Sequence, residues 1–79
     1  MPPYLTFSDA LTALKEGKKI TRDGWHLKGM WLELQTPDEH SKMTMPYIFI
    51  NIAAPDPLIK VPWTASQTDL LADDWYVTE

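Results

Sequence analysis

The sequence contains no cysteine, so neither a disulfide framework nor a thiol nucleophile is available to it. His26 and His40 are its only histidines, and their isolation along the chain argues against a zinc site. The three glycines are scattered at positions 17, 24 and 29, which excludes a glycine-rich phosphate loop. Seven lysines and arginines against eleven acids leave a net charge of −4 with no basic run, so no DNA partner is expected. The longest apolar stretch, Ile48 to Ala54, is broken by Asn51 and falls far short of the ~20 residues needed to cross a bilayer as a helix. The opening Met1-Pro2-Pro3-Tyr4-Leu5-Thr6 lacks the basic and apolar regions of a secretory signal, so a soluble cytoplasmic protein is expected, with no membrane partner.

What is present is aromatic. Four tryptophans, three tyrosines, two phenylalanines and four methionines fall within 79 residues. A chain of this length forms one domain, 1–79, with a modest core. Small domains lean on an extra source of stability, and with disulfides and zinc set aside, oligomerisation is the support expected here. The aromatic and methionine side chains supply contact area for it.

The pattern of residues predicts an α+β domain: an N-terminal helix packed on a small antiparallel sheet, with a short helix before the C-terminal strand. Phe7, Ala10, Leu11 and Leu14 share one helical face, Thr6 or Ser8 can cap its start, and Gly17 suits the left-handed stop. Lys19 to Arg22 reads as a strand closed by the turn dipeptide Asp23-Gly24. Trp25 to Gly29 reads as a loop. Met30 to Gln35 alternates, with Met30, Leu32 and Leu34 toward the helix and Trp31, Glu33 and Gln35 away from it. Met45 to Ile52 is the longest strand candidate and carries apolar groups on both faces, which suggests burial on both sides. Ala53 to Pro57 is a turn, and Leu58 to Val61 a returning strand.

The last third organises the rest. Pro62 ends a strand, and Ser66 with Asp69 three residues on reads as a cap with a carboxylate in the first helical turn. Gln67 to Ala72 allows about one and a half turns at ~3.6 residues per turn, with Leu70 and Leu71 turned partly inward. Trp75-Tyr76-Val77 resumes an extended pattern. Trp63 and Trp75 therefore bracket a compact polar corner.

Catalytic candidates are few. The adjacent acids Asp73 and Asp74 point to opposite faces if extended, so spacing alone makes no dyad. No catalytic residue, metal ligand or cofactor site is assigned, and the chain is read as a non-enzyme. A binding role fits better. Trp25 and Trp63 sit beside turns, where an indole face can stack on a nucleobase, worth roughly 1–3 kcal/mol per base in single-strand binders. Ser66, Gln67 and Asp69 offer donors and acceptors for ribose hydroxyls or a base edge, and Lys28 stands in reach of a phosphate. The same residues have plainer readings: the tryptophans as core or interface packing, Asp69 as a helix-start residue, Lys28 as a solvated side chain. Arg22 is expected to pair with an acid such as Asp74 at the sheet corner.

The run Phe7-Ser8-Asp9-Ala10-Leu11-Thr12-Ala13-Leu14-Lys15-Glu16-Gly17-Lys18-Lys19-Ile20-Thr21-Arg22-Asp23-Gly24-Trp25 resembles the opening of the type-two Thoeris anti-defence family of small phage proteins. The run Pro62-Trp63-Thr64-Ala65-Ser66-Gln67-Thr68-Asp69-Leu70-Leu71-Ala72-Asp73-Asp74-Trp75 resembles that family's second motif, Pro-Trp-x-x-Ser-Gln-x-Asp-x-Leu-Ala-x-Asp-Trp. The resemblance implies a sponge that sequesters the cyclic ADP-ribose isomer made by the Thoeris sensor enzyme, without cleaving it, in the bacterial host cytoplasm. It also implies a homotetramer with ligand pockets between subunits, and cyclic dinucleotides as a second ligand class in some members. Carried over, Trp25 stacks on the base, Ser66, Gln67 and Asp69 hydrogen-bond it or its ribose, and Trp63 and Phe7 wall the pocket. Asp74 and Trp75 take structural roles. Two rival readings stand beside it: a small phage protein that grips a host protein through its aromatic surface, and an enzyme that hydrolyses a nucleotide with the acids near Asp73 holding a metal.

Overall fold

A computed structural model describes residues 4–25, 29–53 and 57–78. Helix α1 (Phe7–Lys15) begins at Thr6, whose hydroxyl accepts from the Asp9 N–H at 3.3 Å. It ends in two reverse hydrogen bonds, Gly17 N–H to the Leu14 carbonyl and Lys18 N–H to that of Ala13. This pairing requires a left-handed residue, and Gly17 supplies it at φ 90°. Of the expected face Ala10 and Leu14 are buried and Phe7 and Leu11 half-buried, and Ala13 is buried beside them.

Five strands follow: β1 (Lys19–Arg22), β2 (Met30–Gln35), β3 (Tyr47–Ile52), β4 (Ile59–Pro62) and, after the single-turn helix α2 (Gln67–Leu71), β5 (Trp75–Thr78). They form one antiparallel sheet in the order β4-β3-β2-β1-β5. The register aligns Val77, Ile20, Leu32, Ile50 and Val61 in a single row beneath α1. The central three are buried, whereas Val77 and Val61 at the ends are 45 % and 42 % exposed. The reason is width: a helix is ~10 Å across, while five strands at ~4.8 Å spacing span roughly twice that. One short helix cannot roof the whole sheet.

The α+β architecture, the helix and its stop, β1, β2 and the capped start of α2 stand where the sequence placed them. Three expectations need correction. The strand expected from Met45 begins at Tyr47, because Pro46 has no N–H to give a ladder, and at six residues β3 only equals β2. The returning strand begins at Ile59 and runs through Pro62, leaving Leu58 outside it. Leu71 does not turn inward: it is 81 % exposed, and Leu70 40 %, since a single turn leaves the helix too short to bury a face. Burial of β3 is likewise uneven. Ile50 is buried under α1, whereas on the other face only Asn51 is, with Tyr47 and Phe49 half-buried. Residues 54–56 of the expected turn lie outside the described residues.

Candidate functional site

The corner between the ends of β1, α2 and β5 is held by one cation between two carboxylates. Pairing of β1 with β5 sets Arg22 opposite Trp75, and so brings Asp74 beside the guanidinium. Arg22 Nε donates to Asp74 Oδ1 at 2.7 Å, and Arg22 Nη1 to Asp69 Oδ1 at 2.8 Å. The expected Arg22–Asp74 pair is present, and Asp69 joins it. Asp74 Oδ2 also accepts the Gly24 N–H at 2.8 Å, which pins the turn leading into Trp25. A Cβ at position 24 would lie 2.7 Å from that oxygen, so the close approach needs glycine.

Helix α2 presents Asp69 to this network. Ser66 Oγ accepts from the Asp69 N–H at 3.1 Å, and Asp69 Oδ2 accepts in return from the Ser66 N–H at 3.5 Å, closing a capping box. Asp69 Oδ1 accepts a second donor, the Trp25 indole N–H, at 3.0 Å. Its main-chain carbonyl accepts the indole N–H of Trp75, also at 3.0 Å. Two tryptophans are thus tied by their ring nitrogens to one aspartate.

These hydrogen bonds orient an aromatic cluster centred on Trp75, which is fully buried. Trp25 meets it edge-on at 5.3 Å between ring centroids and Trp63 at 6.1 Å, while Phe7 touches both Trp75, at 5.3 Å, and Trp63, at 5.9 Å. Phe7, Trp25 and Trp63 are half-buried. Phe7 and Trp63 continue into an apolar cleft of about 690 Å³, whose walls include Leu11, Leu34, Ile48 and Leu70.

The electrostatics are those of a structural clamp. Burial works against ionisation of Asp69, but the donors Trp25, Arg22 and Ser66 outweigh it and hold its pKa below the usual carboxylate value. The guanidinium of Arg22, against the cost of burial and with help from the Gly24 N–H, does the same for Asp74. The hydrogen bond to Asp74 in turn raises the pKa of Arg22 further. Neither carboxylate is poised to exchange protons near neutral pH. Among the described residues no three His, Asp or Glu side chains gather to hold a metal ion.

The structure therefore brings Phe7, Trp25, Trp63 and Asp69 into one cluster, with Ser66 at its edge as the cap of α2. Gln67 is exposed in the first turn of α2, and of the expected site residues that are described only Phe7 and Trp63 line the cleft; Trp25, Ser66, Gln67 and Asp69 do not. Lys28 lies outside the described residues. Leu34 and Ile48 as cleft walls, and the link from Trp25 to Asp69, have no signal in local spacing. Those partners stand 44 residues apart, and only the sheet register joins them.

Residues 5–78 match the model of the Thoeris anti-defense 2-like domain (Tad2-like). Among characterised proteins, the chain is similar to Thoeris anti-defense 2 of Bacillus phage SP01, at 34 % identity over 86 residues. The alignment covers 95 % of this chain and 96 % of that relative.

Proposed function

The chain belongs to the Thoeris anti-defense 2-like family of phage proteins that counter Thoeris defence, and from that premise we propose that it is a sponge. It binds the cyclic ADP-ribose isomer made by the Thoeris sensor enzyme in the host cytoplasm and withholds it, uncleaved, from the effector. The observation that carries this reading is the corner itself: three half-buried aromatic rings, Phe7, Trp25 and Trp63, fixed around Trp75 beside the Ser66–Asp69 cap. In this reading the Trp25 face stacks on the base, Trp63 and Phe7 wall the apolar side, and Ser66 and Gln67 meet ribose or a base edge. Lys28 is assigned to the pyrophosphate, and cyclic dinucleotides are a second ligand class to assay.

Sequestration sets the affinity. A signal near ~1 μM is withheld only by a Kd well below that, or roughly −10 kcal/mol. A stack and a few hydrogen bonds on an open corner fall short of this, so a sister chain is expected to close the site; the family resemblance implies a homotetramer. The exposed apolar side chains Met45, Leu58, Ile59, Val61, Leu70 and Leu71 give such an assembly its contact surface.

Thermal-shift and calorimetric titration with the cyclic ADP-ribose isomer test this. The expected result is a raised melting temperature, with the ligand recovered unaltered after denaturation. Trp25→Ala should abolish binding without dissociating the oligomer. A chemically changed product would mean an enzyme. The same exposed apolar rim also fits the second reading, a grip on a host protein; capture of such a protein, with no response to any nucleotide, would favour it.

A further inference from the structure

Both carboxylate oxygens of Asp69 are engaged inside the chain, Oδ1 by Arg22 and the Trp25 indole, Oδ2 by the Ser66 N–H. Its side chain is only 15 % exposed. Trp25 is held at every level by the same network. Its ring nitrogen goes to Asp69, its ring packs nearly perpendicular to that of Trp75, its own N–H goes to the Arg22 carbonyl at 3.4 Å, and the residue before it to Asp74. Arg22 is the joint, since it holds both aspartates at once.

We propose that Asp69, backed by Arg22 and Asp74, is a positioning residue that fixes the plane of the Trp25 indole for stacking and does not itself touch the ligand. The inference rests on the sponge reading and changes the part Asp69 plays in it. A ring already fixed loses no rotamer freedom on binding, and that advantage corresponds to about tenfold in affinity at most. The device also explains why an acid sits in a site meant for an anionic nucleotide. Its carboxylate is turned inward onto Arg22, which it shares with Asp74, and onto the Trp25 and Ser66 donors.

A double-mutant cycle on the full-length oligomer tests this, using calorimetry with the cyclic ADP-ribose isomer produced by a Thoeris sensor enzyme. In the wild-type background Asp69→Ala is expected to weaken binding about tenfold. In the Trp25→Phe background, where no indole N–H remains to be held, the same change should cost less than about twofold. Asp69→Asn, which keeps an acceptor oxygen, should restore most of the loss. Equal losses in both backgrounds would mean that Asp69 contacts the ligand, and would overturn the proposal. The Trp25 indole N–H, followed by ¹⁵N NMR in the ligand-free chain, gives an independent readout should Asp69→Ala fail to fold. It is expected to exchange with solvent far more slowly than a free indole, and exchange at the free rate overturns the proposal. Failure of the wild-type chain to bind the signal would sink the sponge reading alone, and the exchange measurement would still decide whether Asp69 holds Trp25.

Discussion

Replacing Arg22 by Met removes the cation from between Asp69 and Asp74 while keeping an apolar stem of similar length. Breaking a fully buried ion pair from one side costs about 3–5 kcal/mol. Here the side chains of Arg22, Asp69 and Asp74 are 13 %, 15 % and 25 % exposed, so water screens part of the loss and about 2–3 kcal/mol is expected at pH 7. In a domain of this size each kcal/mol moves the melting temperature by roughly 4–8 °C, which makes the shift about 10–20 °C downward. Protomer concentration must be held fixed, because an oligomer's melting temperature depends on it. The pH dependence is the sharper test. Both aspartates titrate below their unfolded values, so in the wild type they bind fewer protons folded than unfolded. Their contribution is complete above the unfolded carboxylate pKa, near ~3.9, and is lost as pH falls through the lower folded values. The unfolded chains titrate alike, so the gap between wild type and Arg22→Met should be widest near neutrality. It should begin to shrink where the carboxylates of Arg22→Met, left without their cation, take up protons, and close as pH falls through the lowered wild-type values. Chemical denaturation of both proteins across that range measures it. A gap that stays constant with pH would show that Arg22 stabilises by packing, and the clamp described above would be wrong.

Gly24→Ala places a methyl group 2.7 Å from Asp74 Oδ2, an oxygen already fixed by Arg22, and should cost about 1–3 kcal/mol in urea unfolding. No loss would mean that the turn is free to shift. On the opposite face of the sheet Asn51 is fully buried, donating to Glu33 and accepting from Lys60. Asn51→Asp sets a second carboxylate against Glu33, so its destabilisation should grow as pH rises from 4 to 7 and be relieved in acid; a cost independent of pH would show that Lys60 neutralises the new charge. Ser66→Ala removes the cap of α2 and should cost about 1 kcal/mol, and it should also speed hydrogen exchange at the Asp69 amide, which that hydroxyl holds.

Local rules made the elements legible. Helix periodicity, the Thr6 and Ser66 caps and the Gly17 stop act over three or four residues, and the structure obeys each of them. Alternation in Met30 to Gln35 likewise assigned the faces of β2, with Leu32 buried beneath α1. Leu71 departs from its expected inward setting for the complementary reason: its environment depends on what lies beyond one turn of helix, and no short-range rule carries that. Partnerships across the chain depend on register. Because Arg22 stands opposite Trp75, the side chains of both project to the face under α1, and Asp74 falls within reach of the guanidinium. A slip of one residue between β1 and β5 would send the Trp75 ring to the opposite face and separate Asp69 from Trp25. The core and the candidate corner are therefore one object. The same ring that fills the centre of the cluster supports the three half-buried rings around it, so a change that loosens the corner must also loosen the register of the sheet edge.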